Sequence, residues 1–225
     1  MVCCLGLWGP AARDILAPVA DGDLAFGYLR VSELRVKGIP VTALRVSYAG
    51  ELGWELTADH SDGLALWDAL MASGERYGVI AAGAAALSSL RIEKGYRMWG
   101  TDMTPEHSPA EADLGFAVRT DDSDFLGRDG LAAREPATRQ LATLTLEPDV
   151  VMTGGEPLFA GGQVEGYVTS AAYGPSVGRS IAYAWVPADL QAGDAVVVRS
   201  FDREVKGAVA PGAALFDPAG VRLRA

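Results

Sequence analysis

The sequence predicts an α+β fold in two parts: mixed helices and strands over residues 1–135, then an all-β portion over 138–225. Two observations predict this. Before about residue 135, runs of alternating apolar residues are interspersed with runs at helical spacing. After Arg134–Arg139 the chain is almost entirely short β runs punctuated by glycine and proline, the spacing of a small antiparallel barrel or sandwich. At 225 residues and 49% hydrophobic, the chain can bury a sizeable core.

Val2–Leu7 reads as a buried strand, after which Gly9-Pro10 opens a short helix over Ala11–Leu16 with Pro10 at its first position. Residues 26–36 alternate and predict strand, Gly38-Ile39-Pro40 a turn, and Val41–Tyr48 another strand. A Gly-x-x-Gly turn then leads to a strand at Trp54–Thr57. Ser61 is placed to cap a helix carrying Leu64, Leu66, Trp67, Leu70 and Met71, which Gly74 ends. A second helix spans Ala84–Lys94 and stops at Gly95. Residues 100–109 form a loop, Leu114–Val118 a strand, and Asp124–Arg128 leads into a short helix ending near Arg134. The later β runs are Leu141–Leu146, Val164–Thr169, Ser180–Val186, Ala195–Ser200 and Glu204–Val209.

The net charge of −10 argues against nonspecific nucleic-acid binding and against docking on anionic lipid, both of which need clustered Lys and Arg. No run of 18 apolar residues predicts a membrane span. The only cysteines are Cys3 and Cys4, so neither a disulfide framework nor a cysteine metal site is expected, and a reducing, cytoplasmic setting fits. His60 and His107 lie in no ligand-like spacing, and no metal is expected. Gly174-Pro175-Ser176-Val177-Gly178 matches a nucleophile-elbow pattern. That elbow must run from strand into helix, whereas Arg179–Val186 reads as strand, and both histidines precede Ser176. The motif reads as a glycine turn.

Two segments carry chemistry. In Ser47-Tyr48-Ala49-Gly50-Glu51-Leu52-Gly53-Trp54-Glu55-Leu56, Tyr48 and Glu55 stand at opposite ends of the turn. If the flanking strands pair, both side chains can converge on one pocket. A carboxylate accepting two parallel N–H bonds beside an aromatic ring suits a flat, amidine-like heterocycle such as a pterin. A plain hairpin with an exposed Glu and a core Tyr is the competing reading. In Ser89-Leu90-Arg91-Ile92-Glu93-Lys94, Arg91 and Glu93 lie inside an apolar helical pattern. A buried Arg needs an acceptor, so Arg91 is either in a structural ion pair or a ligand contact.

Six ordered motifs join these segments: Leu7–Arg13, Arg45–Leu56, Ser89–Arg97, Asp124–Arg128, Val168–Ser170 and Gly178–Ala184. Together the chain resembles the aminomethyltransferase (glycine-cleavage T-protein) family, and within it the folate-binding C-terminal region of dimethylglycine and sarcosine dehydrogenases or oxidases. The resemblance covers essentially the whole chain. It implies a truncated folate-binding α+β domain over 1–135 and the family's C-terminal β-barrel over 138–225. It implies tetrahydrofolate as cofactor, with Glu55 on the pterin amidine edge, Tyr48 beside it and Phe116 lining the same pocket; Arg91, from the reading of its own helix, is the further candidate contact. The donor would be a small amine, and the partner another chain or an FAD-containing subunit. Family members carry a further stretch before the segment matching Cys4–Pro10, which supplies the acidic residue assisting transfer, so no catalytic residue is assigned. Leu87 stands where the glycine-cleavage branch has a folate-tail Arg, and Asp113 where a small residue is usual. The alternatives are an inactive truncated paralogue or an assembly module of a larger folate/FAD enzyme.

Overall fold

The computed structural model describes residues 1–119, 124–147 and 152–225. They fall into two compact units, Met1–Leu87 with Ala219–Ala225, and Ser88–Pro218.

The first unit begins with β1 (Val2–Trp8) and α1 (Ala12–Leu16), followed by β2 (Ala20–Asp21), β3 (Val31–Val36), β4 (Ile39–Leu44), β5 (Gly53–Asp59) and α2 (Gly63–Gly74). The strands form a five-stranded sheet in the order β1-β5-β4-β3-β2 with antiparallel neighbours. Trp54, Leu56 and Ala58 alternate to one face of β5 and are buried. They pack with Ile15 and Leu16 of α1 and Leu66 and Leu70 of α2 in one core. Each such leucine contributes about 1.5–3 kcal/mol by leaving water. Glu55 and Thr57 point the other way and are half-buried.

Local chemistry moved several expected boundaries. Pro10 lies outside α1, whose cap is Ala11. The strand expected over 26–36 is confined to Val31–Val36, because Leu29 adopts a φ of 60° and the Arg30 N–H turns back to the Gly27 carbonyl at 3.1 Å. Ser61 does not cap α2. Its N–H and hydroxyl donate to the Asp59 carboxylate at 2.9 and 2.7 Å, forming a 3₁₀ turn at His60–Asp62 that delays the α-helix to Gly63.

α3 (Ala84–Glu93) leads into the second unit, followed by α4 (Arg128–Ala132) and then β6 (Arg139–Leu146), β7 (Pro157–Ala160), β8 (Gln163–Gly174), β9 (Arg179–Pro187), β10 (Ala195–Ser200) and β11 (Arg203–Val209). These strands close an antiparallel barrel in the order β10-β11-β6-β9-β8-β7, with β10 also pairing β7. The expected β runs do not include β7, which opens on a proline. The expected strand at Leu114–Val118 is instead a 3₁₀ turn at Gly115–Ala117, held by the Ala117 N–H on the Leu114 carbonyl at 3.0 Å. Gly95 ends α3 as expected, with φ of 82°, and a Cβ there would lie 2.7 Å from Ala213 and Ala214 backbone atoms. A last short helix, α5 (Val221–Arg224), belongs to the first unit. Among the described residues, no helix is long and apolar enough to cross a membrane.

β9 is buried on both faces. Ala182, Ala184 and Val186 fill the barrel, while Ile181, Tyr183 and Trp185 pack outward with Ile92 and Ala112. The Tyr183 hydroxyl donates to the Ile92 carbonyl at 2.9 Å, and burial pushes the phenol above its ordinary range.

Beside this layer lies an ion pair between Arg91 and Asp102, 1% and 0% exposed. Arg91 also donates to Ser170 Oγ at 2.8 Å and to the Tyr96 carbonyl at 3.1 Å. Asp102 accepts from Thr169 Oγ1 at 2.7 Å, from the Met98 N–H at 2.8 Å and from the Ser170 hydroxyl. Helix, loop and barrel strand are thereby joined through one carboxylate. Removing it strands a buried guanidinium. Asp102→Ala is expected to cost about 3–5 kcal/mol in urea unfolding, and a cost below about 1 kcal/mol would show the pair to be dispensable.

Candidate functional site

On the outer face of the first unit's sheet, Gly6, Glu55 and Leu44 form one cross-strand row, with Trp8 and Gly53 in the next. A Cβ at Gly6 would lie 2.4–2.8 Å from three atoms of the Trp8 ring. One at Gly53 would lie 2.5 Å from Trp8 Cδ1 and 2.1 Å from the Leu7 carbonyl oxygen. The indole therefore lies across the strand pair in space that two glycines leave open. It covers Gly6, the residue directly opposite Glu55. Trp8 Nε1–H donates to the Val46 carbonyl at 2.9 Å, tying the segment after β4 to β1.

That segment forms the glycine turn. The Glu51 N–H donates to Ser47 Oγ at 3.1 Å, Gly50 adopts a φ of 82°, and the Gly9 N–H donates to the Leu52 carbonyl at 2.9 Å. The turn's two carboxylates differ. Glu51 pairs with Arg222 at 2.8 Å. Glu55 is half-buried and makes no side-chain hydrogen bond or ion pair among the described residues. Tyr48 is half-buried at the start of the turn. The expected pairing of 44–48 with 54–57 stops at Leu44↔Glu55, so Tyr48 lies past the end of the ladder. The Trp8–Val46 hydrogen bond ties its segment to β1.

The other two expected site residues lie in the second unit. Arg91 is 1% exposed and shows the structural ion pair of the two readings, both of its terminal nitrogens being engaged. Phe116 is 86% exposed on its 3₁₀ turn. Ser176 lies in the turn between β8 and β9. Its N–H and that of Val177 donate to Glu93 Oε1 at 2.7 and 3.0 Å, so the turn serves a buried carboxylate. His107 stacks on Trp185 with ring centroids 4.0 Å apart.

Sequence reasoning missed Trp8 as a site residue. The available signal was Gly6 inside a strand pattern, which marks a close approach to the backbone. Gly6→Ala is expected to lift the indole and weaken its bond to Val46. Loss of about 1 kcal/mol there corresponds to roughly fivefold faster hydrogen exchange at the Trp8 indole N–H by NMR. Unchanged exchange would show that the glycine does not seat the ring.

The comparisons agree with this architecture. A family model described as GCVT N-terminal domain matches residues 1–122, and one described as glycine cleavage T-protein C-terminal barrel domain matches 139–215. The chain is 43% identical over 189 residues to mitochondrial sarcosine dehydrogenase of Mus musculus, covering 81% of this chain and 20% of that protein. It is 40% identical over 193 residues to mitochondrial dimethylglycine dehydrogenase of Homo sapiens, covering 83% and 22%. The aminomethyltransferase of Symbiobacterium thermophilum is 35% identical over 193 residues, covering 83% and 52%. The chain thus spans about a fifth of the dehydrogenases and about half of the aminomethyltransferase. The crystal structure of glycine cleavage system aminomethyltransferase T from Bartonella henselae matches with a TM-score of 0.83 at 26% identity, over 99% of this chain and 60% of that one. Two of these relatives are mitochondrial by name, so they lend no support to the cytoplasmic reading of the cysteines. The two family matches, in order along one chain, establish that it belongs to the glycine cleavage T-protein (aminomethyltransferase) family.

Proposed function

We propose that the chain is a tetrahydrofolate-binding, one-carbon-transfer portion of a larger enzyme, with 1–135 as part of the folate-binding domain and 138–225 as its barrel domain. One observation carries this reading. Glu55 is a half-buried carboxylate with no partner among the described residues, beside a sheet face covered by an indole. Such a group suits a ligand that brings its own paired N–H donors on a flat ring.

In this reading Glu55 accepts two parallel hydrogen bonds from the pterin amidine edge. Tyr48 packs beside the ring. Arg91 serves the second unit, its terminal nitrogens held by Asp102, Ser170 and the Tyr96 carbonyl. Bound tetrahydrofolate supplies the N5 and N10 nitrogens that carry a one-carbon unit taken from a small amine. The chain's residues bind and orient the carrier and exclude water, which converts an encounter between two molecules into reaction within one complex. No acid or base is assigned among them.

The dehydrogenase relatives support placing an FAD-containing portion or subunit as partner. Cys3 and Cys4 are both free, which fits a reducing compartment, the cytoplasm or the mitochondrial interior. The alternative reading as an assembly module rests on β1, which ends the sheet order and offers an edge where a further strand can pair.

Titration calorimetry with tetrahydrofolate tests the main reading. A hydrogen bond to a charged group is worth about 1.5–3 kcal/mol, so Glu55→Gln is expected to weaken binding by roughly 10- to 150-fold. Equal affinity in the two proteins, or no binding by the parent chain, would overturn it.

A further inference from the structure

The geometry points to a carboxylate-binding site in the first unit, formed by Arg13 and Arg45 against the ring of Trp54. Both arginines belong to the ordered motifs of the sequence, yet neither touches the face that carries Glu55. Their guanidinium carbons lie 5.3 and 6.0 Å from the Trp54 ring centroid, so each cation faces the same buried indole. Arg45 is 5% exposed. Two like charges held this close need an anion between them. Among the described residues, no Asp or Glu side chain lies within ion-pair distance of either.

The acceptors present are all backbone oxygens. Arg13 Nη1 donates to the Leu24 carbonyl and Arg45 Nη1 to the Phe26 carbonyl, each at 2.9 Å. The Nη2 atoms of both side chains converge on one atom, the backbone oxygen of Ala225, at 3.0 Å from Arg13 and in close contact with Arg45. Arg45 Nε, the other arm of the fork that Nη2 belongs to, is buried without a partner, as is Trp54 Nε1. The cluster thus has more buried donors than acceptors. A carboxylate has two oxygens at the spacing of the Nε–Nη2 fork, so it can satisfy the unpartnered arm while bridging to Arg13. Burial, then the charge of Arg13, lowers the pKa of the Arg45 guanidinium, as expected of a cation lacking its counter-ion.

The ligand this arrangement suits is a small free acid carrying one carboxylate. Thermal unfolding tests this, comparing the parent protein and Arg45→Lys, each in sodium formate and in sodium chloride of equal ionic strength. Formate is expected to raise the melting temperature of the parent protein by about 2–4 °C over chloride. Arg45→Lys keeps the charge but lacks the fork, and is expected to abolish this response. The site is refuted if formate acts no differently from chloride on the parent protein, or if it acts equally on the parent and on Arg45→Lys.

Discussion

The outer face of the first unit depends on one steric constraint, the absence of side chains at Gly6 and Gly53. Each sits in a strand, where glycine costs about 0.5–1 kcal/mol relative to alanine. The return is that a full indole lies against the backbone of two paired strands. From that seat Trp8 reaches the Val46 carbonyl and holds the segment that leaves the sheet after Leu44. Tyr48, the Gly50 turn and the Glu51–Arg222 pair all follow from where that segment runs. Glu55 is left beside the indole as the turn's uncommitted carboxylate.

The second unit is organised by a different economy. β9 has no solvent-facing side, so its outward aromatics need partners as specific as its inward alanines. Two buried carboxylates gather most of the polar contacts in this layer, although Arg91 Nε and Glu93 Oε2 are buried without a partner. Asp102 takes donors from a helix, a loop and a barrel strand, and Glu93 takes two N–H groups from the β8–β9 turn. Gly174 is needed for the second arrangement, since a Cβ there would lie 2.9 Å from Glu93 Oε1. Such networks place atoms closely because a partner lost in a dry interior is costly.

Elements set by local pattern were legible in the sequence. The α+β class, the strand-rich C-terminal portion and the stop at Gly95 rest on periodicity and a left-handed glycine. The need of Arg91 for an acceptor was also legible, but Asp102 was not, because it lies in an irregular loop with no spacing that relates it to the helix. The strand expected at Leu114–Val118 failed because alternating apolar residues cannot show where a chain closes into a 3₁₀ turn. At the candidate site, the carboxylate and the tyrosine are singled out by residue type and by their places at the two ends of the glycine turn. The indole between the strands was hidden, since its position depends on what two distant glycines lack.

The central claim is that Glu55 reads a paired-donor edge of a flat heterocycle. The most direct measurement compares the affinity of the chain for a reduced pterin with that for the same ring lacking its 2-amino group. The account predicts that the parent chain prefers the amino-bearing ring by about tenfold or more, and that Glu55→Gln binds the two alike. Equal affinity of the parent chain for both rings, or a preference that survives in Glu55→Gln, would contradict it.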